Sequence, residues 1–240
     1  MEISHRVRLG AWCWVAAFPV FIGGNVVAGL AWRRPPYSWS ADNISDLGNV
    51  TCGQWDTSRP RYVCSPWHGL MNAVFIATAV LLAAGVVLAW HELEARILLL
   101  SAPIGLALAG LFPADVHLNL HVLGAALLFG VANLGLLAAA IRSGRTTRRT
   151  RSWSTTRSGT TAWSSDRARF RQPALGRLRP FTLLMALVAI GGTVLFFARQ
   201  GLGIGLGGME RVAAFPFFVW TMVVGAHLLR ERQSNYAAVA

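Results

Sequence analysis

Six long apolar stretches dominate this chain and restrict it to folds that a membrane can contain. They run over residues 10–32, 67–90, 95–112, 117–141, 181–199 and 209–229. A helix needs about 20 residues to cross a hydrocarbon core roughly 30 Å thick, and lipid requires each segment to satisfy its own backbone polar groups. The sequence therefore predicts an all-α membrane protein, with one domain over residues 1–240 and six transmembrane helices.

The composition supports a membrane protein over a soluble one. Hydrophobic residues make up 54% of the chain and charged residues only 13%, about half their usual share in soluble domains. The formal net charge is +12, and all 22 basic residues are arginine. The positive charge does not by itself indicate a nucleic-acid partner, and we expect none. We expect the protein to contact membrane lipids.

Arginine is concentrated on one side of the predicted bundle. Half of the basic residues lie between Arg142 and Arg179, and the basic N-terminal start and the Arg230, Arg232 tail fall on the same side. The positive-inside rule predicts that this side is cytoplasmic, with both termini in the cytoplasm and the protein in the cell membrane. The first apolar run is longer than a signal-peptide core, so we expect it to remain as the first helix.

Two polar segments interrupt the apolar pattern. Segment 33–66, expected on the outer side, contains Cys52 and Cys64, for which an oxidising compartment would permit the disulfide that we predict. A zinc site made from these two cysteines is the other reading. Segment 143–176 is rich in Arg, Ser and Thr and has too little apolar surface to offset the entropy of ordering. It is predicted to be a disordered cytoplasmic loop.

Ionisable residues cluster where the predicted fourth helix begins. Asp115, His117 and His121 lie there, and His68 stands at a similar depth in the second helix. His117 and His121 are four residues apart and share a helix face, and zinc favours imidazole and carboxylate ligands. One hypothesis is a metal site formed by His117, His121 and His68. Alternatively, Asp115 caps the helix and the histidines hydrogen-bond between helices.

Glu210 and Arg211 open the last predicted helix on the same side. The helix dipole favours a carboxylate at this position, which gives Glu210 a structural reading. In the functional alternative, Glu210 is a general base and Arg211 binds a phosphate or carboxylate bidentately. Asp115, Glu210 and Arg211 are therefore the candidate catalytic residues.

An ordered set of motifs resembles the prokaryotic membrane family called domain of unknown function 998. The residues that carry the resemblance are Ile44-Ser45-Asp46-Leu47-Gly48, Asn72, Phe112-Pro113-Ala114-Asp115, His121 and Glu210-Arg211. The resemblance implies a six-helix integral membrane protein and brings no established activity. The chain is also distantly similar to alkaline ceramidases and adiponectin-receptor-like transmembrane hydrolases, which use histidines, an aspartate and a serine around zinc to cleave lipid amides.

The sequence leaves several functions open, all of which require an outward-facing polar pocket. One is a metal-dependent hydrolase of lipid esters or amides, in which zinc activates water. Another is a non-enzymatic binder of a lipid or a hydrophobic small molecule, or a transporter subunit. A third is a metal-free acid/base enzyme that uses Asp115 and Glu210 on a hydrophobic substrate. Neither the substrate nor the oligomeric state follows from the sequence.

Overall fold

The computed structural model describes residues 5–56, 59–90, 92–151 and 174–237, with side-chain positions except at 144–151, 174–175 and 231–237. Seven α-helices lie in these ranges. They are α1 His5–Ala31, α2 His68–Ala89, α3 Leu93–Leu111, α4 Leu118–Ala125, α5 Ala132–Arg151, α6 Ala174–Phe197 and α7 Gly205–Ala237.

Six helical segments of the described chain are long and apolar enough to cross a membrane. One of them, Leu118–Ser143, combines α4 and α5, which a π-helical turn at Ala126–Val131 joins. The predicted all-α fold with six spans is confirmed. The observed spans differ from the predicted ones by a few residues at either end, because helical turns also include polar residues that flank the apolar stretches.

The segment 143–176, predicted to be disordered, is helical where the structure describes it. Helix α5 continues to Arg151, and α6 already begins at Ala174. Arginine has a high helix propensity, so the helix extends past the end of the apolar stretch. The rest of the segment, residues 152–173, lies outside the described residues.

Three tryptophans pack together at the end of the bundle that contains the α2–α3 turn. Trp14, Trp90 and Trp220 are fully buried, with ring centroids 5.6–6.1 Å apart. Trp14 lies against Gly85 of α2, where a Cβ atom would overlap the indole ring. Each aromatic pair adds about 0.5–1.5 kcal/mol beyond area burial. The cluster therefore fixes α1, α2 and α7 against one another.

The opposite end, here called the loop end, contains the connections 32–67, 112–117 and 198–204. Near it, α3 and α4 cross at Gly105 and Gly124, and a Cβ atom on either glycine would overlap the carbonyl oxygen of the other. Small residues allow such close approach of membrane helices. The crossing brings the start of α4 against the end of α3.

The 32–67 connection has regular structure of its own. It contains a 3-10 turn, Ser45–Gly48, and an antiparallel hairpin of β1 (Gly53–Trp55) and β2 (Arg61–Val63). Cys52 and Cys64 flank the hairpin and form a disulfide in the structure. This connection, here called the outer loop, covers the loop end of the helices.

Candidate functional site

A cavity of about 30 Å³ lies beneath the 3-10 turn at the loop end. Three residues with polar side chains line it: Ser45 from the turn, His121 from α4 and Glu210 from α7. A cavity of this volume has space for about two water molecules. Its walls are otherwise apolar and include Phe21, Ile44, Phe75, Leu106, Ala109, Leu128, Phe129 and Ala214.

Glu210 links the last span to the outer loop. Its side chain is buried, and Oε2 accepts the backbone N–H of Ile44 at 2.5 Å. The carboxylate also accepts a hydrogen bond from the backbone of Ser45. Because α7 begins at Gly205, Glu210 is more than one helical turn inside the helix and does not cap the free amides of the first turn. Its carboxylate instead accepts from amides of the outer loop.

His121 lies on the cavity wall, and its ring orientation is set by α3. The residue is only 7% exposed, and Nδ1 lies 3.0 Å from the carbonyl oxygen of Phe112. Since a carbonyl can only accept, this contact assigns the proton to Nδ1. In the neutral ring, Nε2 is then the basic nitrogen.

Arg211 binds the outer loop through its two terminal nitrogens and does not line the cavity. Nη1 donates to the carbonyl oxygens of Asp42 at 3.1 Å and Gly207 at 2.7 Å, and Nη2 donates to the Tyr37 hydroxyl at 2.5 Å. The guanidinium also lies 5.6 Å from the ring centroid of Tyr37 and 5.2 Å from that of Trp39, within cation–π range. Arg211 therefore fixes the first part of the outer loop.

Two partners of this arginine have altered acidity. Burial raises the pKa of Tyr37, although the charge of Arg211 opposes the shift. The protonated hydroxyl donates to the carbonyl oxygen of Asn43 at 2.9 Å. Burial also raises the pKa of Asp42, although its Oδ2 accepts the N–H of Ser38 at 2.8 Å. Together with Arg211, these groups form a hydrogen-bond network between the first part of the outer loop and the start of α7.

Asp115 fastens a second part of the outer loop. Its Oδ2 accepts the backbone N–H groups of Val50 at 2.9 Å and Thr51 at 2.7 Å, and the Thr51 hydroxyl at 2.7 Å. The residue preceding α4, His117, makes no side-chain capping bond. The carboxylate of Asp115 thus binds the outer loop, and it does not line the cavity.

A buried ion pair fastens the hairpin to the 3-10 turn. Asp46 is 1% exposed and accepts Arg61 Nε at 2.7 Å and Nη2 at 2.6 Å, a bidentate arrangement. Asp46 Oδ2 also accepts the N–H of Asn43 at 2.8 Å. Burial lowers the pKa of Arg61, but the hydrogen bond and charge of Asp46 outweigh it, so the pKa is raised overall.

Two hydrogen bonds from the side chains of Asn72 and Ser65 fix the C-terminal half of the turn. Asn72 Nδ2 donates to the carbonyl oxygen of Gly48 at 2.9 Å, and Ser65 Oγ donates to that of Leu47 at 2.7 Å. A Cβ atom at Gly48 would overlap the Asn72 amide. The motif that carried the family resemblance therefore forms the contacts between the outer loop and the helices.

The predicted metal ligands do not assemble into a metal-binding group. His117 is exposed and packs edge-on against Phe112, with ring centroids 5.6 Å apart. His68 Nδ1 lies 3.1 Å from the carbonyl oxygen of Ser65, and His121 faces Phe112. Across the described residues, no three His, Cys, Asp or Glu side chains form a group able to hold a metal ion. The arrangement of these described residues does not fit zinc.

Of the candidate catalytic residues, only Glu210 lines the cavity, while Asp115 and Arg211 contact the outer loop. Ser45, which stood out in the sequence only as part of the family motif, lines the cavity with His121. Sequence reasoning missed Arg61 as the partner of the aspartate in the motif. The sequence signal for this pair was the presence of both acidic residues and arginines within one loop, because opposite charges in one loop favour pairing.

A family model described as "Protein of unknown function (DUF998)" matches residues 15–166, more than half of the 240-residue chain. The chain belongs to this family. The DUF998 match includes the outer loop, Asp115 and His121, whereas α6, α7 and Glu210 lie beyond it. No curated protein and no solved structure matches the chain. Because the family description assigns no activity, function has to be argued from the site.

Proposed function

We propose that the protein is a membrane enzyme that performs metal-free acid/base chemistry on a hydrophobic substrate at the loop-end cavity. One observation carries this proposal: Glu210 and His121, from two different spans, line the same cavity. Ionisable side chains within membrane spans are costly and usually functional. A carboxylic acid and an imidazole are also the commonest side chains in general acid/base catalysis.

The remaining cavity walls indicate what kind of molecule enters. Phe21, Phe75 and Phe129 surround the polar groups with aromatic surface, which suits an apolar substrate. The cavity has space for about two water molecules, so only the reacting end of a larger molecule fits without displacement of the outer loop. The contacts of Asp115 and Arg211 then control how readily that loop moves.

We propose further that the loop end faces outward from the cell membrane and that both termini are cytoplasmic. A run of arginines starts with Arg142, at the other end of the span Leu118–Ser143, and continues after it in the sequence, in agreement with the positive-inside rule. The bonded Cys52 and Cys64 at the loop end suit an oxidising compartment. Membrane lipids would then supply hydrophobic substrates to the cavity from the outer leaflet.

A binding function without turnover is the second candidate. It is favoured by the hydrogen bond between Glu210 and Ile44, because a carboxylate used to fix the loop need not transfer protons. In this case, the cavity accommodates part of a lipid or a hydrophobic small molecule. Substitutions at Glu210 would then change affinity and loop stability, with no turnover to change.

The test is turnover by protein purified in detergent and reconstituted in liposomes. The panel comprises lipid esters, lipid amides and other hydrophobic substrates, guided by the resemblance to transmembrane hydrolases, with products identified by mass spectrometry. Turnover should fall at least about 100-fold in Glu210→Gln and in His121→Gln. Asn119→Ala, an exposed change near the start of α4, is the matched control and should retain activity. Turnover that neither cavity variant reduces would contradict the proposal.

A further inference from the structure

We propose that Ser45 is the nucleophile of this site and that the substrates are acyl esters or amides with an apolar acyl chain. The inference rests on the proposed function and names its covalent step. Ser45, His121 and Glu210 come from three separate elements and line the same cavity. They are the residues with polar side chains among those that line it.

The Ser45 hydroxyl is available for chemistry. It makes no side-chain hydrogen bond to any residue in the described part of the chain. By contrast, the buried Ser65 donates to the carbonyl oxygen of Leu47, and Ser101 donates to that of Leu127. A serine hydroxyl is a weak nucleophile until an adjacent base accepts its proton. Ser45 shares the cavity with His121, whose imidazole is the base that this chemistry requires.

His121 has the tautomer that the base requires. Its Nδ1 faces the carbonyl oxygen of Phe112 at 3.0 Å, which leaves Nε2 basic. In serine hydrolases with a catalytic triad, an aspartate binds this nitrogen and selects the tautomer. Here, a backbone carbonyl does so, and Glu210 is the acidic side chain that lines the same cavity.

Glu210 is also a positioning residue for the nucleophile. Its carboxylate accepts hydrogen bonds from the backbone of Ile44 and Ser45, which fixes the first residues of the 3-10 turn over the cavity. The opposite side of the turn is fixed by the pair Asp46–Arg61. The backbone that carries the hydroxyl is therefore fastened to α7 and to β2.

The reaction balances without an oxidant or a cofactor. Ser45 Oγ forms a bond to the carbonyl carbon of the substrate while Nε2 of His121 takes the hydroxyl proton. The bond from that carbon to the leaving oxygen or nitrogen then breaks, and the proton passes to the departing alcohol or amine. Water attacks the resulting acyl ester of Ser45, which releases the carboxylic acid and restores the hydroxyl. The net change is hydrolysis of one ester or amide.

The test is covalent labelling of the full chain in liposomes with a fluorophosphonate, a reagent that phosphonylates activated serines. One adduct per chain is expected, mapped to Ser45 by peptide mass spectrometry. Labelling should be absent at this position in Ser45→Ala and at least about 100-fold slower in His121→Gln. Ser38→Ala, a serine of the same outer loop that does not line the cavity, is the matched control and should be labelled at the rate of the unmodified protein.

The outcomes separate this inference from the proposed function. No adduct at Ser45 in the folded, unmodified protein overturns the inference, as does an unchanged labelling rate in His121→Gln. If lipid turnover persists in Ser45→Ala, the nucleophile assignment fails while the acid/base function stands. If the unmodified protein turns over no hydrophobic substrate, the proposed function itself fails. Size-exclusion chromatography of each variant identifies losses due to misfolding.

Discussion

The carboxylate of Glu210 accepts the backbone N–H of Ile44 at 2.5 Å across 166 positions of sequence. This bond joins the last span to the loop that follows the first span. It also places the acid of the proposed site next to the turn that bears Ser45. Glu210 therefore has two roles: it lines the proposed site, and it holds the outer loop against α7. Different substitutions of Glu210 separate these roles.

Glu210→Gln separates them, because glutamine retains an oxygen that accepts the N–H of Ile44 but loses the ionisable carboxylate. We expect an unfolding temperature close to that of the unmodified protein and turnover lower by at least about 100-fold. Thermal unfolding in detergent and lipid turnover measure the two effects. Glu210→Ala removes the acceptor as well, so it should also lower the unfolding temperature. Equal turnover in Glu210→Gln and the unmodified chain would argue against a catalytic carboxylate.

Asp115→Ala should loosen the outer loop around Val50 and Thr51. The substitution removes an oxygen that accepts three solvent-exposed hydrogen bonds, and the net contribution of a hydrogen bond to a charged group is at most about 1.5–3 kcal/mol. Hydrogen exchange followed by mass spectrometry should show faster exchange in the peptide that contains residues 50 and 51. Asn119→Ala is the control. Unchanged exchange in Asp115→Ala would show that the loop is fixed by its other contacts alone.

Arg61→Ala should be the most destabilising single change in the hairpin. It leaves the carboxylate of Asp46 buried without its partner, and loss of one member of a buried pair costs about 3–5 kcal/mol. Arg61→Lys should recover only part of this free energy of unfolding, because an ammonium cannot reproduce the bidentate contact. The double variant Asp46→Ala, Arg61→Ala should be more stable than Arg61→Ala. Chemical denaturation in detergent measures all three, and additive effects of the two substitutions would exclude the coupling.

Reduction of the disulfide should destabilise the outer loop while the helical bundle stays folded. The two cysteines are 12 positions apart, and closure of such a loop contributes about 3 kcal/mol in the chain-entropy model. Limited proteolysis should cut within residues 53–63 faster after reduction, and equally fast in Cys52→Ser, Cys64→Ser without reductant. Cys13→Ser, which changes a thiol within α1, is the control. Equal cleavage rates before and after reduction would contradict this prediction.

Elemental analysis should find less than one zinc per purified chain. His117 packs against Phe112, and the rings of His121 and His68 each face a backbone carbonyl oxygen. No group of three ligands forms in the described residues. The double variant His117→Ala, His121→Ala should have the same zinc content as the unmodified protein after identical washing. Near-stoichiometric zinc that the double variant loses would instead restore the metal-dependent hydrolase.

The spans were predictable because a local property, the length of each apolar stretch, determines them. The π-helical turn at Ala126–Val131 was not, since no local pattern distinguishes it from the α-helix on either side. Asn133 accompanies this turn and donates to the carbonyl oxygens of Phe129 and, across helices, Ala213. Such contacts depend on which helices become neighbours, which apolar stretches do not specify.

The site was predictable only in part, for the same reason. Glu210 and His121 stood out as ionisable residues at the ends of apolar stretches. The roles of Asp115 and Arg211 depend on partners in the outer loop, and Arg211 meets Tyr37 from 174 positions away. Ser45 stood out in the sequence only as part of the family motif, and its place on the cavity wall depends on how the turn packs over the helices.

The contacts of Glu210 and Arg211 with the outer loop also impose an order on biosynthesis. The outer loop leaves the ribosome soon after α1, but α7 is made after the other described spans and supplies the partners of Ile44, Asp42 and Tyr37. A chain that stops before residue 205 contains the complete outer loop and lacks these partners. The outer loop therefore reaches its final structure only when α7 has been synthesised and has packed against it.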